Sequence, residues 1–281
     1  MGRGIAQVAA QAGLETQVCD VDLAVAERAV ATIAASLERR VEQGKLATVE
    51  REAVVARLTA SGDLGAASRD IDLVIEAVPE SMELKVDVLR RVLAAAPSGA
   101  IVGTNTSSLS VTELGARLGA GARTIGLHFF NPPPAMPLLE IVRGLHTSPD
   151  VVAASEALAT TLGKTSILVN DSPGFATSRL GVAIGAEAIR MLESGVASVE
   201  SIDRAMELGY RHPMGPLKLG DLVGLDVRLA ILEHLHREVG EQFRPPQLLR
   251  QMVRAGWLGK KSGLGFYDWS GETPVPRTFK V

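Results

Sequence analysis

The chain has 281 residues, 46% of them hydrophobic and 22% charged, which is enough for one large globular domain or two medium-sized ones. Its net charge of −3 and its pI near 6.0 exclude the strongly basic balance that attracts nucleic acids or anionic membrane surfaces. The single cysteine, Cys19, excludes an internal disulfide and a multi-cysteine metal site, and no metal is expected. Since no run of about eighteen apolar residues predicts a membrane span, we expect a cytoplasmic protein.

The first twenty residues predict a small-residue helix followed by a strand. Residues 1–10 form the helix, and residues 14–18 form the strand, which leads to Asp20. A helix, a strand and an acid about twenty residues after a glycine are the second half of a dinucleotide-binding fingerprint. The first half of such a fingerprint is a strand and a glycine turn that come before the helix, and neither is present in this sequence. We therefore expect the native start about a dozen codons upstream, with Met1 an internal methionine; a chain that truly begins here is expected to fold poorly or bind its cofactor weakly.

Asp20 has two competing interpretations. As the acid of the fingerprint, it would accept hydrogen bonds from the adenosine ribose and repel a 2′-phosphate, which favours NAD over NADP. As a local structural residue, it would cap the helix that is predicted to start near Leu23. The residues alone leave both interpretations open.

Helices and strands alternate up to about residue 170. The sequence predicts helices at 21–44, 48–58 and 81–96, and strands at 72–78, 100–104, 123–128 and 165–169. Beyond this point it predicts only helices, separated by glycine and proline, at 179–195, 198–208, 217–240 and 246–255. An alternating half followed by a helical half predicts two domains, with a boundary near Asp171.

Chemically useful side chains accompany three apolar runs between residues 100 and 143. Ser107 follows the first run, His128 and Asn131 follow the second, and Glu140 lies within the third. Because polar groups at the carboxyl ends of parallel strands converge on a ligand crevice, we expect these side chains to meet there. A hydroxyl donor, an imidazole and an acid that holds the imidazole are the parts of a general acid–base site.

A purely structural interpretation of these residues is that His128 caps a strand and Glu140 faces solvent. The position of Glu140 between two pairs of aliphatic residues argues against this interpretation, because an unpaired charge is costly to bury. The combination of the two residues favours a catalytic site.

Five motifs carry a resemblance to a known family. They are TNTSSL at 104–109, HFFNP at 128–132, DSPGF at 171–175, HPMGPLKLGDLVGLD at 212–226 and AGWLGKKSGLGFYDW at 255–269. Over nearly its whole length the chain resembles the L-3-hydroxyacyl-CoA dehydrogenase family and, within it, the short-chain 3-hydroxybutyryl-CoA dehydrogenases.

The resemblance implies a Rossmann-like doubly wound α/β sheet, whose first strand is missing from this chain, followed by a smaller all-α domain. The dinucleotide-binding domain would cover 1–170, and a helical domain for substrate binding and dimerisation would cover 171–281. The implied protein is a homodimer that uses NAD and an acyl-CoA substrate.

The resemblance also implies a reaction and a role for each matching residue. A hydride passes from C3 of a short-chain (S)-3-hydroxyacyl-CoA to NAD, which gives the 3-oxoacyl-CoA. His128 would remove the hydroxyl proton while Glu140 orients the imidazole ring. Ser107 would form a hydrogen bond with the reacting oxygen, and Asn131 would help to place His128 and the substrate.

Further positions match the family's binding residues. The cofactor positions are Gly2, Asp20, Glu80, Lys85, Ser107, Asn131 and Lys261, and the substrate positions are Ser36, Lys45, Ser107 and Ser178. For Lys45 the competing interpretation is a solvated surface lysine. Glu80 and Lys85 would, on their own, be ordinary charges in the first turn of a helix.

One position departs from the family pattern. The family has asparagine where this chain has Ser178, whose hydroxyl is shorter and lacks the paired donor and acceptor of an amide. We expect slower or altered catalysis from this replacement. Two other functions stay open at this point: a dehydrogenase of the same fold that acts on a free hydroxy acid, and a truncated, weakly active or non-catalytic binding homologue.

Overall fold

The structure, a computed structural model, describes residues 1–279 and divides the chain into two compact units. The first unit runs from Met1 to Ser172, and the second begins at Pro173. Strands occur mainly in the first unit, and helices dominate the second. Across the described residues no helix is long and apolar enough to cross a membrane.

The first unit alternates strands and helices. Its strands are β1 (Thr16–Cys19), β2 (Leu58–Ser61), β3 (Leu73–Glu76), β4 (Ile101–Thr104), β5 (Thr124–Phe129), β6 (Leu138–Arg143) and β7 (Thr165–Asn170). Its helices are α1 (Gly2–Gln11), α2 (Leu23–Glu42), α3 (Thr48–Ala56), α4 (Leu64–Ala67), α5 (Met82–Leu93), α6 (Val111–Leu118) and α7 (Pro149–Thr161). The apolar faces of α1 and α7 pack against β5 and β6 in one hydrophobic core.

These strands form two sheets. β1 and β2 pair in parallel, and the other five strands lie in the order β3-β4-β5-β6-β7. β6 is antiparallel to β5, whereas the remaining pairs are parallel. The prediction that the strand of Glu140 runs parallel to the strand of His128 is therefore wrong. Residues 130–137 are too few for the crossover of roughly a dozen or more residues that parallel neighbours need.

β5 and β6 approach each other closely, and this fixes the register in which their residues pair. Gly126 is the partner of Val142, and a Cβ on Gly126 would lie 2.7 Å from the Val142 Cβ. Only glycine allows the strands to come this near without a shift. The same register sets His128 directly opposite Glu140.

The helix predicted at 48–58 is shorter in the structure, where α3 ends at Ala56. β2 begins at Leu58 and pairs with β1. Of the four residues of β2 only Leu58 is buried, so the segment has no apolar run from which a strand could be predicted.

The second unit contains five α-helices and a short antiparallel ribbon within its described residues. They are α8 (Thr177–Glu193), α9 (Val199–Arg204), α10 (Pro216–Val223), α11 (Leu225–Glu238), α12 (Gln247–Arg254), β8 (Tyr267–Asp268) and β9 (Val275–Pro276). The continuous helix predicted at 217–240 is two helices, because Gly224 adopts φ +106°, which favours glycine. The ribbon adds two very short strands to a unit for which only helices were predicted.

Two buried aspartates tie this ribbon to α10. Asp221 accepts hydrogen bonds of 3.0 and 2.8 Å from the backbone N–H groups of Phe266 and Tyr267. It also accepts a bond of 2.9 Å from the indole N–H of Trp269. Asp203 accepts a bond of 2.7 Å from the Tyr267 hydroxyl and two more from backbone N–H groups at the start of α10. Burial raises the pKa of both carboxyl groups, against the lowering effect of these donors.

We expect Gly265→Ala to destabilise the protein strongly. A Cβ at this position would overlap the Asp221 carboxylate, which would have to leave its donors. Hydrogen bonds to a charged group contribute roughly 1.5–3 kcal/mol each, so the free energy of unfolding should fall by at least that amount. Urea unfolding followed by tryptophan fluorescence measures the change.

The matched control is Gly271→Ala, whose Cβ would meet only a carbonyl oxygen 3.8 Å away. Equal free energies of unfolding for the two variants would contradict this account of the ribbon.

Candidate active site

The centre of the candidate site is a buried pair formed by His128 and Glu140. His128 Nδ1 lies 2.8 Å from Glu140 Oε2, and the two residues are register partners on β5 and β6. Glu140 has no exposed surface, and His128 is 7% exposed. An ionised carboxylate at this distance accepts the Nδ1–H bond, which leaves the lone pair on Nε2, at the opposite edge of the ring.

The structure thus brings together the two residues that the sequence analysis paired, but by a different route. Glu140 does not lie at the carboxyl end of a parallel strand; it reaches His128 across an antiparallel strand pair. The alternative in which Glu140 faces solvent is wrong, since the residue is fully buried.

The residues after His128 wrap around its ring and against α1. The Phe130 ring lies 4.6 Å from the imidazole, centroid to centroid. Asn131 follows in an exposed loop, in which a Cβ on Gly4 would come within 2.8 Å of Pro133 Cδ. Gly4 therefore allows the loop to pack against the first turn of α1. This role of Gly4 was not predicted from the sequence.

The carboxylate of Glu80 accepts several hydrogen bonds from the loop that contains Ser107. Its Oε1 accepts a bond of 2.6 Å from the Thr106 hydroxyl and one of 3.0 Å from the Ser107 backbone N–H. Both Ser108 groups, the backbone N–H and the hydroxyl, bond the same oxygen at 3.2 and 3.1 Å. Burial alone would raise the pKa of Glu80, but the Thr106 hydrogen bond and the charge of Lys85 outweigh it, so the pKa is lowered.

Two further residues near this loop were not singled out from the sequence. Asn105 Oδ1 accepts a bond of 2.9 Å from the Phe129 backbone N–H, which joins the loop to the residue beside His128. Glu76, at the end of β3, pairs with Lys85, which is 1% exposed. Lys85 was predicted to contact the cofactor, and the structure places its ammonium between the carboxylates of Glu76 and Glu80.

The predicted nucleotide residues lie around α1 and β1. Gly2 is the first residue of α1, and Asp20 follows β1 with its side chain partly exposed. The interpretation of Asp20 as a helix cap is wrong, because Asp22 is the cap of α2 and accepts the Ala24 N–H. The groups present fit a dinucleotide: a helix N-terminus offers N–H groups to phosphates, and an acid after a strand accepts ribose hydroxyls.

The remaining predicted site residues belong to two parts of the chain, the region of α2 and the second unit. Ser36 is half-buried in α2, and Lys45 is exposed just after that helix. In the second unit, Ser178 is half-buried in the first turn of α8. Lys261 Nζ lies 2.6 Å from a carboxylate oxygen of Asp226, so its charge has a neighbour within the unit.

Two sheets of mainly parallel strands, with an acid after a strand of one and a buried histidine–carboxylate pair across two strands of the other, are typical of a nucleotide-dependent dehydrogenase. The chain belongs to the 3-hydroxyacyl-CoA dehydrogenase family. The family model of the NAD-binding domain matches residues 1–172, and that of the C-terminal domain matches residues 174–269.

Relatives at the level of whole chains agree with this assignment. A probable 3-hydroxybutyryl-CoA dehydrogenase from Bacillus subtilis is 44% identical over 274 residues, covering 97% of this chain and 95% of that protein. A 3-hydroxybutyryl-CoA dehydrogenase from Bradyrhizobium diazoefficiens is 40% identical over 277 residues, covering 98% of this chain and 94% of that protein. The crystal structure of an (S)-3-hydroxybutyryl-CoA dehydrogenase from Ralstonia eutropha superposes with a TM-score of 0.93 at 43% identity, covering 96% of each chain.

The predicted family, the Rossmann-like α/β fold with a helical second part, and NAD as cofactor are thereby confirmed. The chain is an NAD-dependent oxidoreductase that acts on 3-hydroxyacyl-CoA. When bound, NAD supplies the hydride acceptor for the reaction.

We expect Glu140→Gln to lower kcat by roughly 10²- to 10⁴-fold, the usual contribution of general acid–base catalysis. Glutamine keeps the shape of the side chain but cannot stabilise a protonated His128. Stopped-flow or steady-state formation of NADH measures the loss, and fluorescence titration should give an unchanged Kd for NADH.

Glu156→Gln, which changes an exposed acid of α7, serves as the control and should keep wild-type kcat. Wild-type turnover in Glu140→Gln would rule out the role assigned to the pair.

Proposed function

We propose that this protein oxidises short-chain (S)-3-hydroxyacyl-CoA esters, above all (S)-3-hydroxybutyryl-CoA, to the 3-oxoacyl-CoA. The observation that carries the proposal is the buried pair of His128 and Glu140, with 2.8 Å between Nδ1 and Oε2. The substrate class is supported by the names of the relatives from three bacteria, each a 3-hydroxybutyryl-CoA dehydrogenase.

In the proposed mechanism His128 is the general base. Nε2 accepts the proton of the substrate 3-hydroxyl as the C3 hydride departs, and the carboxylate of Glu140 stabilises the resulting imidazolium. The Ser107 hydroxyl donates a hydrogen bond to the reacting oxygen, and Asn131 helps to orient the substrate beside the ring. The proton leaves Nε2 for solvent after the ketone has formed.

The proposed binding residues follow from the same assignment. Gly2 and Asp20 would hold the adenosine half of NAD, and the carboxylate of Asp20 would disfavour the 2′-phosphate of NADP. Lys261 is the remaining proposed cofactor position, while Ser36 and Lys45 are proposed for the CoA moiety. Glu80 and Lys85, which the resemblance also assigns to the cofactor, lie beside the Ser107 loop. Ser178, in place of the family's asparagine, would bind the acyl group with a single hydroxyl and so slow or alter turnover.

We further propose a homodimer that forms through the second unit, which we propose as the domain for substrate binding and dimerisation. All three exposed side chains of α10 are apolar, and neighbouring helices extend this apolar face. Its members are Leu180, Ile184, Leu219, Leu222, Val223 and Val227. A surface of this kind on three helices that pack on one another is typical of a protein–protein interface.

Arg228, next to Val227 in α11, supports the same interpretation. It is 8% exposed, and its Nε has no hydrogen-bond partner among the described residues. Burial lowers the pKa of its guanidinium to about 10. An oxygen acceptor from a second copy would satisfy this group.

We also infer a cytoplasmic location. NAD and CoA esters both carry several negative charges, which makes their transfer through an apolar membrane costly. An enzyme that uses both is expected in the compartment that contains them.

A comparison of substrates tests the proposed function. We expect NADH formation from (S)-3-hydroxybutyryl-CoA with a kcat/KM at least about 10²-fold above that for free 3-hydroxybutyrate, because binding of the CoA moiety contributes to transition-state stabilisation. NAD should be preferred to NADP. Equal rates with the free acid would favour a hydroxy-acid dehydrogenase, and no turnover with any ester would favour a binding homologue.

Leu222→Asp tests the proposed dimer. A charge at the centre of an apolar contact is costly to bury, so this variant should sediment as a monomer where the wild type sediments as a dimer. Val196→Asp, which changes an exposed valine beyond the other end of α8, should remain dimeric. A wild-type protein that is monomeric at micromolar concentrations would contradict the proposed dimer.

A further inference from the structure

A buried ionic cluster adjoins the loop that carries Ser107. Lys85 in α5 is 1% exposed, and Glu76 at the end of β3 is 3% exposed. Lys85 Nζ lies 2.9 Å from Glu76 Oε1 and 3.1 Å from Oε2. A pair this deeply buried is sustained only where further hydrogen bonds satisfy both charged groups.

Glu76 receives those further bonds from the sheet itself. Its Oε1 accepts a bond of 2.6 Å from the Val78 backbone N–H, and its Oε2 accepts one of 2.7 Å from the Thr104 hydroxyl. Glu76 and Thr104 are register partners at the ends of β3 and β4. The carboxylate is therefore fixed to two neighbouring strands and gives the ammonium of Lys85 a rigid anchor.

The ammonium of Lys85, held by Glu76, also contacts the carboxylate of Glu80. Its Nζ lies 3.3 Å from Glu80 Oε2, while the other oxygen of Glu80 bonds the Thr106 hydroxyl and the Ser107 N–H. One side of the Glu80 carboxylate thus faces the buried ammonium, and the other side holds the loop.

The same loop is attached a second time, to the strand of His128. Asn105 Oδ1 accepts the backbone N–H of Phe129, the residue that follows His128. The loop is held at residue 105 by β5 and at residues 106–108 by Glu80. Where Ser107 lies relative to His128 therefore depends on Glu80.

We propose that Lys85 and Glu80 are positioning residues for the dehydrogenation: the buried ammonium orients Glu80, and Glu80 holds Ser107 in place relative to His128. This inference rests on the proposed function of Ser107 and His128. It replaces the direct contact with NAD that the resemblance implies for these two residues, because the ammonium of Lys85 is buried between two carboxylates. A misplacement of about 1 Å at a reacting group costs about 10²-fold in rate, so the cluster controls turnover without touching the substrate.

Glu80→Gln separates positioning from cofactor binding. Glutamine keeps an oxygen acceptor for the loop but loses the charge that pairs with Lys85, and it leaves Lys85 and Glu76 as a neutral pair. We expect kcat with (S)-3-hydroxybutyryl-CoA to fall about 10- to 10²-fold. The Kd for NADH, from fluorescence titration, and the melting temperature should stay close to the wild-type values.

Glu83→Gln is the matched control, because Glu83 is an acid of α5, the helix that contains Lys85, and its side chain is 78% exposed. It should keep wild-type kcat, Kd for NADH and melting temperature.

The role of Lys85 needs a paired substitution. Lys85→Met alone leaves Glu76 buried without its counter-ion, so this variant is expected to fold poorly. Glu76→Gln combined with Lys85→Met removes both charges and keeps similar volumes. The double variant should fold, bind NADH normally and show a loss of kcat like that of Glu80→Gln.

Each other outcome would overturn the proposal in a recognisable way. Wild-type kcat in both variants would remove any positioning role, even if the melting temperature fell. A raised Kd for NADH at unchanged kcat would indicate direct cofactor contact instead. A wild-type enzyme with no activity on 3-hydroxyacyl-CoA would reject the proposed function and the positioning role together.

Discussion

The first unit depends on keeping one carboxylate, Glu140, both buried and paired. With no exposed surface it receives no solvation, and an unpaired charge at that position would be strongly destabilising. The antiparallel register of β5 and β6 meets this requirement by setting His128 directly opposite. The pairing also fixes the orientation of the imidazole before any substrate arrives, which is the condition a general base must meet.

Buried acids have the same organising effect elsewhere in the molecule. In the first unit Glu76 pairs with Lys85, whose ammonium also lies near Glu80, and Glu80 accepts hydrogen bonds from the loop that contains Ser107. In the second unit Asp203 and Asp221 collect donors from α10 and from the C-terminal ribbon. Each acid accepts at least one hydrogen bond from a residue 14 or more positions away in the sequence, so each one fixes the relative positions of separate segments.

The sequence predicted the association of His128 with Glu140, and it predicted the geometry of this pair less well. The aliphatic neighbours of Glu140 indicated burial and therefore a partner, which is why its association with His128 could be predicted. Its antiparallel strand could not be predicted from side-chain periodicity, because strand direction leaves no such signal; only the short connection indicates it. Asn105 and Glu76 were missed because their partners, Phe129 and Lys85, are identified by tertiary contacts and not by local pattern.

The proposed role of His128 requires that Glu140 holds the ring with its proton on Nδ1 and its lone pair on Nε2. Nitrogen-15 NMR of labelled histidine measures this directly, and with only five histidines in the chain the His128 signal can be assigned by comparison with a His128→Gln variant. We expect neutral His128 to carry its proton on Nδ1 in the wild type, and we expect Glu140→Gln to weaken or abolish this preference. A proton on Nε2 in the wild type, or a spectrum of His128 that is unchanged in Glu140→Gln, would contradict it.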